Sequence, residues 1–135
     1  MLQKTIQSFV DHVCEEEGWR TPIVEIPPWE EWYHIAIQAS DGRVPPTKIY
    51  GCTSSGRIYL NPRRISRNKG RTTVLHELCH YNMPTVVIME ILNDPILKNR
   101  PELREWSIES RTEVKAKKLA RKYRDMWNQL VKTPR

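Results

Sequence analysis

The stretch TTVLHELCHY, Thr72 to Tyr81, constrains this chain more than any other. It sets His76 and His80 four residues apart, with Glu77 directly after the first histidine. Positions i and i+4 share one face of an α-helix, so both imidazoles can offer ring nitrogens to a single Zn2+. Glu77, one position along, reaches the rim of the same site. There it can take a proton from a metal-bound water and later deliver it to a leaving amine. Zinc brings the pKa of such a water to about 7. A catalytic zinc takes three protein ligands and keeps one position open. The fold must therefore bring a second element against this helix.

The third ligand is not a later histidine, because none follows His80. Val86 stands where a metzincin pattern requires histidine, and the SprT-like arrangement also needs a histidine downstream. A carboxylate remains, or one of the upstream histidines His12 and His34. In the last helical segment Ala116, Ala120, Tyr123, Trp127 and Leu130 form an apolar stripe at spacings of three and four. Extended backwards, the stripe passes through Glu113 and then Glu109. A glutamate in line with a tryptophan and two alanines is costly to bury without a charge partner. Zinc is such a partner; the other reading is a solvated Glu113 paired with Lys117. The expected ligand set is His76, His80 and Glu113, with Glu77 as catalytic base and Glu109 as the alternative third ligand.

HELCHY followed by SRTEVKAKKLA resembles the gluzincin clan of zinc metallopeptidases, in which a glutamate downstream of HExxH completes the site. The wording is similar to the ExxA signature of ImmA/IrrE-like small peptidases, matched here by Glu113, Ala116, Leu119 and Ala120, and more distantly to the minigluzincins. The likeness covers roughly residues 48–130. It implies a zincin-like fold and hydrolysis of peptide bonds, with a single regulatory protein as one substrate such a resemblance suggests. The family places Asp or Asn four residues after the glutamate, where this chain has Lys117. Alternatives are a zinc-binding protein that is latent or inactive and a basic protein associated with nucleic acid.

At 135 residues the chain suits one domain, 1–135. With 39% hydrophobic and 28% charged residues it reads as globular and soluble. Three cysteines without a CxxC pair fit a reducing compartment, and no stretch reads as a signal peptide or a membrane span, so a cytoplasmic location is expected. Cys79 reads as a small core residue. The net charge of +6 is concentrated partly in NPRRISRNKGR, where Arg63, Arg64, Arg67, Lys69 and Arg71 would attract acidic protein partners or nucleic acid.

The expected architecture is α+β. Residues 2–18 read as an amphipathic helix ending at Gly18. WYHIAIQAS has β-rich composition, and KIYGC and RIYLN form a hairpin around TSSG, giving a mainly antiparallel sheet of about three strands. RIYLN is the edge expected to receive a peptide, and Tyr33 and His34 are candidate oxyanion donors. Helices follow over 71–81, over TVVIMEILN, and from Pro101 or Ser107 to Lys132.

Overall fold

The computed structural model describes residues 2–83 and 85–132. Helix α1 (Leu2–Glu17) buries Ile6, Phe9, Val10, Val13 and Cys14, the stripe its periodicity predicts. It stops at Gly18, whose φ of +70° is the left-handed conformation that glycine enters without a Cβ penalty. Strand β1 (Ile23–Glu25) follows, then α2 (Trp29–Ser40), the hairpin β2 (Gly51–Ser54) and β3 (Arg57–Leu60), and the helices α3 (Arg71–Tyr81), α4 (Thr85–Asn93), α5 (Pro101–Lys122) and α6 (Arg124–Trp127). A π-helical turn over Asn128–Lys132 ends the described chain. The architecture is α+β, as expected.

Three expectations need correcting. The last helix, expected to run to Lys132, ends at Lys122 and is followed by α6 and the π-helical turn. The segment WEEWYHIAIQAS is helical, not extended. Its aromatic and β-branched residues suggest a strand, but Glu30 and Glu31 sit in the first turn, where the helix dipole favours carboxylates. Trp32 and Ala36, four apart, are buried on one face, and the Trp32 indole N–H donates to the Pro46 carbonyl at 3.1 Å. The sheet is also mixed rather than mainly antiparallel. Its order is β1-β3-β2, with β1 parallel and β2 antiparallel to β3. Strand β3 is thus central and paired on both sides, so RIYLN cannot accept an added strand; β2 is the open edge beside α3. The hairpin turns through Ser55 and Gly56, both at positive φ, which a two-residue type I′ connection requires.

One core joins these elements. Val24, Ile58 and Leu60 of the sheet meet α1, while α3 contributes Val74, Leu75, Leu78 and Cys79. Helix α5 packs along α3 through Thr112, Ala116, Leu119 and Ala120. Small residues on that face let the helix axes approach closely. Phe9 stands edge-on to Trp127 and Tyr123, with ring centroids 5.1 and 6.4 Å away. Trp127 and Val131 are buried against α1, so the described part of the C-terminal segment belongs to the core. Residues 133–135 lie outside the described residues. No described helix is long and apolar enough to cross a membrane.

Candidate metal centre

Helix α3 delivers its two histidines as the spacing requires. His76 Nε2 and His80 Nε2 lie 3.1 Å apart, with the rings inclined at 72°. The carboxylate that meets them is Glu109, with Oε2 3.3 Å from His76 Nε2 and Oε1 3.0 Å from His80 Nε2. Four ligands at zinc-like bond lengths of about 2.0–2.1 Å stand roughly 3.3 Å apart at the corners of a tetrahedron. The three separations here, 3.0, 3.1 and 3.3 Å, fall close to that edge. His76, His80 and Glu109 can therefore hold one metal ion.

Glu113 is not part of this group. Its carboxylate pairs with Lys117 at 3.4 Å across one helical turn, and its side chain is 60% exposed. The reason lies in the phase of α5. Stepping back three residues from the buried Ala116 reaches Glu113, whereas the helix continues its buried face by four, to Thr112. From Thr112 the next step of three reaches Glu109, which looks across at α3. Thr112 marks this phase: it is a small residue whose hydroxyl donates to the Ile108 carbonyl at 2.8 Å, so its own polar group is satisfied when buried.

Glu77 is 8% exposed and sits against the β2 edge. The Thr53 hydroxyl donates to Glu77 Oε1 at 2.9 Å and fixes the carboxylate. Burial raises the Glu77 pKa above the ordinary glutamate value; the Thr53 hydrogen bond and the two histidines oppose that rise, and Glu109 adds to it. Gly51 makes the approach possible, since a Cβ there would stand 3.2 Å from the Tyr59 carbonyl oxygen and 3.3 Å from Glu77 Cγ.

These groups open into a cleft of about 790 Å3 between α2, β2 and α3. Ile35, Gln38 and Ala39 of α2 form one wall, and residues 51–54 of β2 form the other. Tyr33 and His34 are exposed on α2 and stack edge-on with each other, ring centroids 6.1 Å apart. His12 is exposed on α1. The metal-capable group among the described residues contains neither His12 nor His34. Tyr123 is core, its hydroxyl donating to Glu17 Oε2 at 2.6 Å. Cys79 is buried as expected, and burial pushes its thiol up to about 11. Cys52 on β2 is raised to about 11 by burial and by the neighbouring Glu77. Neither thiol ionises appreciably near neutral pH.

A scan against protein-family models, a search of curated proteins and a search of solved structures each found no match to this chain.

Proposed function

We propose that this chain is a zincin-like peptidase in which His76, His80 and Glu109 hold Zn2+ and Glu77 is the general base and acid. The observation that carries the reading is the convergence of three ligand atoms at 3.0–3.3 Å beside a buried glutamate, in a cleft bounded by an open strand edge. Two imidazoles and one carboxylate suit zinc, which accepts N and O donors and leaves a fourth position for the reacting groups. When bound there, Zn2+ supplies Lewis-acid polarisation of a carbonyl and makes water acidic enough to react at neutral pH.

The chain's own residues do the rest. Glu77, held by Thr53, takes the proton of the attacking water and returns it to the departing amine nitrogen. Strand β2 binds the substrate backbone. The Asn61 N–H donates to the Tyr50 carbonyl, so by antiparallel alternation Tyr50, Cys52 and Ser54 bond to β3 while Gly51 and Thr53 turn their backbone groups outward. An extended peptide can add there as a fourth strand, with its carbonyls beside Glu77. Glu113, one turn beyond Glu109, then stands where the family has Asp or Asn, while the match of Glu113, Ala116, Leu119 and Ala120 to the ExxA signature does not carry over to that frame. Glu113 lines a smaller cavity together with His76 and Glu77.

The test is peptide cleavage by the zinc-loaded wild type beside Glu77→Gln. Cleavage that falls by at least about a hundredfold in the variant, with zinc and fold retained, is the expected result. Zinc binding without cleavage of any peptide by the wild type would mean an inactive member of the same architecture.

A further inference from the structure

The basic loop between β3 and α3 does not consist of equivalent solvated cations. Arg67 is tied inward, its guanidinium donating to the Val131 carbonyl at 2.6 Å. Arg63, Arg64 and Lys69 instead line a separate cavity of about 400 Å3 together with Tyr50. Arg64 is held in place there: its Nε donates to the Thr47 carbonyl at 3.0 Å, and its guanidinium lies 5.3 Å from the centre of the Tyr50 ring. The Arg63 guanidinium stacks 3.7 Å from the centre of the Trp29 ring.

The backbone that carries these cations is fixed from below. Asn61 is fully buried, and its amide N–H2 donates to the Pro46 and Ile49 carbonyls at 3.2 and 2.8 Å. Its side-chain oxygen accepts from the Arg63 N–H at 2.8 Å, while its backbone carbonyl accepts from the Arg64 and Ile65 N–H groups. At the far end, Ser66 and Lys69 close a turn on each other, and Gly70 at φ +127° leads into α3. The cations are therefore presented by a loop that loses little freedom when a ligand arrives.

Tyr50 connects this cavity to the proposed site. It immediately precedes β2 and also lines the smaller cavity, about 280 Å3, that contains Gly51, His76, Glu77 and Glu113. A peptide added antiparallel to β2, the slightly more stable pairing, runs from Ser54 toward Tyr50. Its C-terminal part thus leaves the metal centre past Tyr50 and meets Arg64 and Lys69. The intermediate cavity is lined by Glu77 and Glu113 and, among the described residues, by no lysine or arginine, so an acidic residue belongs beyond the first position after the cut.

We propose that the Arg63–Arg64–Lys69 cavity is a subsite that receives an acidic side chain on the C-terminal side of the scissile bond, beyond the first position. The assignment rests on the peptidase reading for its orientation, but the recognition of an acidic peptide is measurable without cleavage. Bidentate guanidinium–carboxylate contacts are strong and directional, and Arg64, held through its Nε by the Thr47 carbonyl, presents such a guanidinium at the cavity.

Two measurements test it. In the first, wild-type protein with zinc digests a mixed peptide library, and Asp and Glu are expected to be enriched at the second to fourth positions after the cut. In the second, the zinc-loaded Glu77→Gln protein is titrated into fluorescein-labelled decapeptides of alanine and glycine, followed by anisotropy. One carries Asp-Glu near its C-terminus, one carries Asp-Glu near its N-terminus, and one carries Asn-Gln near its C-terminus. The first peptide is expected to bind about tenfold more tightly than the other two at low salt. Arg64→Glu in the same background is expected to abolish the difference, while the charge reversal Lys118→Glu on the exposed face of α5 leaves it intact; thermal melts check that both variants fold. If no peptide is cleaved but this binding order holds, the peptidase reading fails and the acidic subsite stands. If cleavage occurs without acidic enrichment, or the three peptides bind alike, the subsite is overturned. A single-stranded DNA decamer that binds more tightly than the acidic peptide, and loses binding on Arg64→Glu, also overturns it in favour of a nucleic-acid surface.

Discussion

Thr53 and Glu77 show how much of the site depends on single contacts. The Thr53 hydroxyl is the hydrogen-bond donor that opposes the upward push of burial on the Glu77 carboxyl. Replacing it by valine keeps the shape and removes the donor, so the carboxyl is held less precisely and its pKa rises further. On the proposed mechanism, in which Glu77 starts as the base, the acidic limb of the pH–rate profile of Thr53→Val should move to higher pH, with kcat/KM about tenfold lower at neutral pH. A profile identical to wild type would remove Thr53 from the mechanism. The same scale explains what could be read in advance. His76, Glu77 and His80 follow from a five-residue pattern with a fixed helical geometry. Glu109 does not, because it and Glu113 are both exposed carboxylates four apart on one helix, and which of them reaches the histidines depends on how α5 is rotated against α3. That choice was decided by Thr112, whose burial depends on α3 lying opposite it.

At the scale of elements, α3 is positioned by what precedes and flanks it. Gly70, its N-cap residue, has φ +127° and ψ −16°, and a Cβ there would meet Ile65 Cδ1 at 2.2 Å. Gly70→Ala should therefore cost about 1–3 kcal/mol, chiefly from the backbone conformation, since the end of an isoleucine side chain can give way. Chemical denaturation measures it, and an unchanged midpoint would contradict the account. Helices α1 and α5 are clamped at their ends by Glu17, which accepts from Lys122 Nζ and from the Tyr123 hydroxyl, both at 2.6 Å. These two hydrogen bonds, Lys122 first, hold the Glu17 pKa below its ordinary value against a smaller opposing effect of burial. A carboxyl depressed in the folded state adds stability that is fully present above its unfolded pKa of about 4.3 and is lost as pH falls through the folded value. Glu17→Gln should accordingly melt at a lower temperature than wild type at pH 7, with the gap narrowing below about pH 4. A gap that stays constant with pH would show that Glu17 contributes by shape alone. Helix α1 is legible from periodicity and its glycine stop, α3 from its motif and the proline that follows, and α4 as an apolar segment. Helix α2 was not, because its composition favours strand while its acidic first turn and the Trp32–Ala36 pair favour helix. The parallel pairing of β1 with β3 had no local signal; it depends on α1 and β3 meeting across the core.

For the whole molecule, α3 and α5 are packed so that His76, His80 and Glu109 can together hold one metal ion. Thr112 and Ala116 of α5 are buried where that helix packs along α3, so the core packing holds together the same helix pair that carries the metal-capable group. Metal binding to the folded state alone, at about 100 times Kd, adds about 2.7 kcal/mol, enough to raise the melting temperature by about 10 °C in a domain of this size. The most direct measurement is zinc stoichiometry by elemental analysis, with melting curves before and after chelation, for wild type, Glu109→Ala and Glu113→Ala. The account predicts one zinc per chain in wild type and in Glu113→Ala, and a loss of zinc affinity together with the chelation-sensitive melting shift in Glu109→Ala. Zinc retained at full affinity in Glu109→Ala, or lost only in Glu113→Ala, would contradict it.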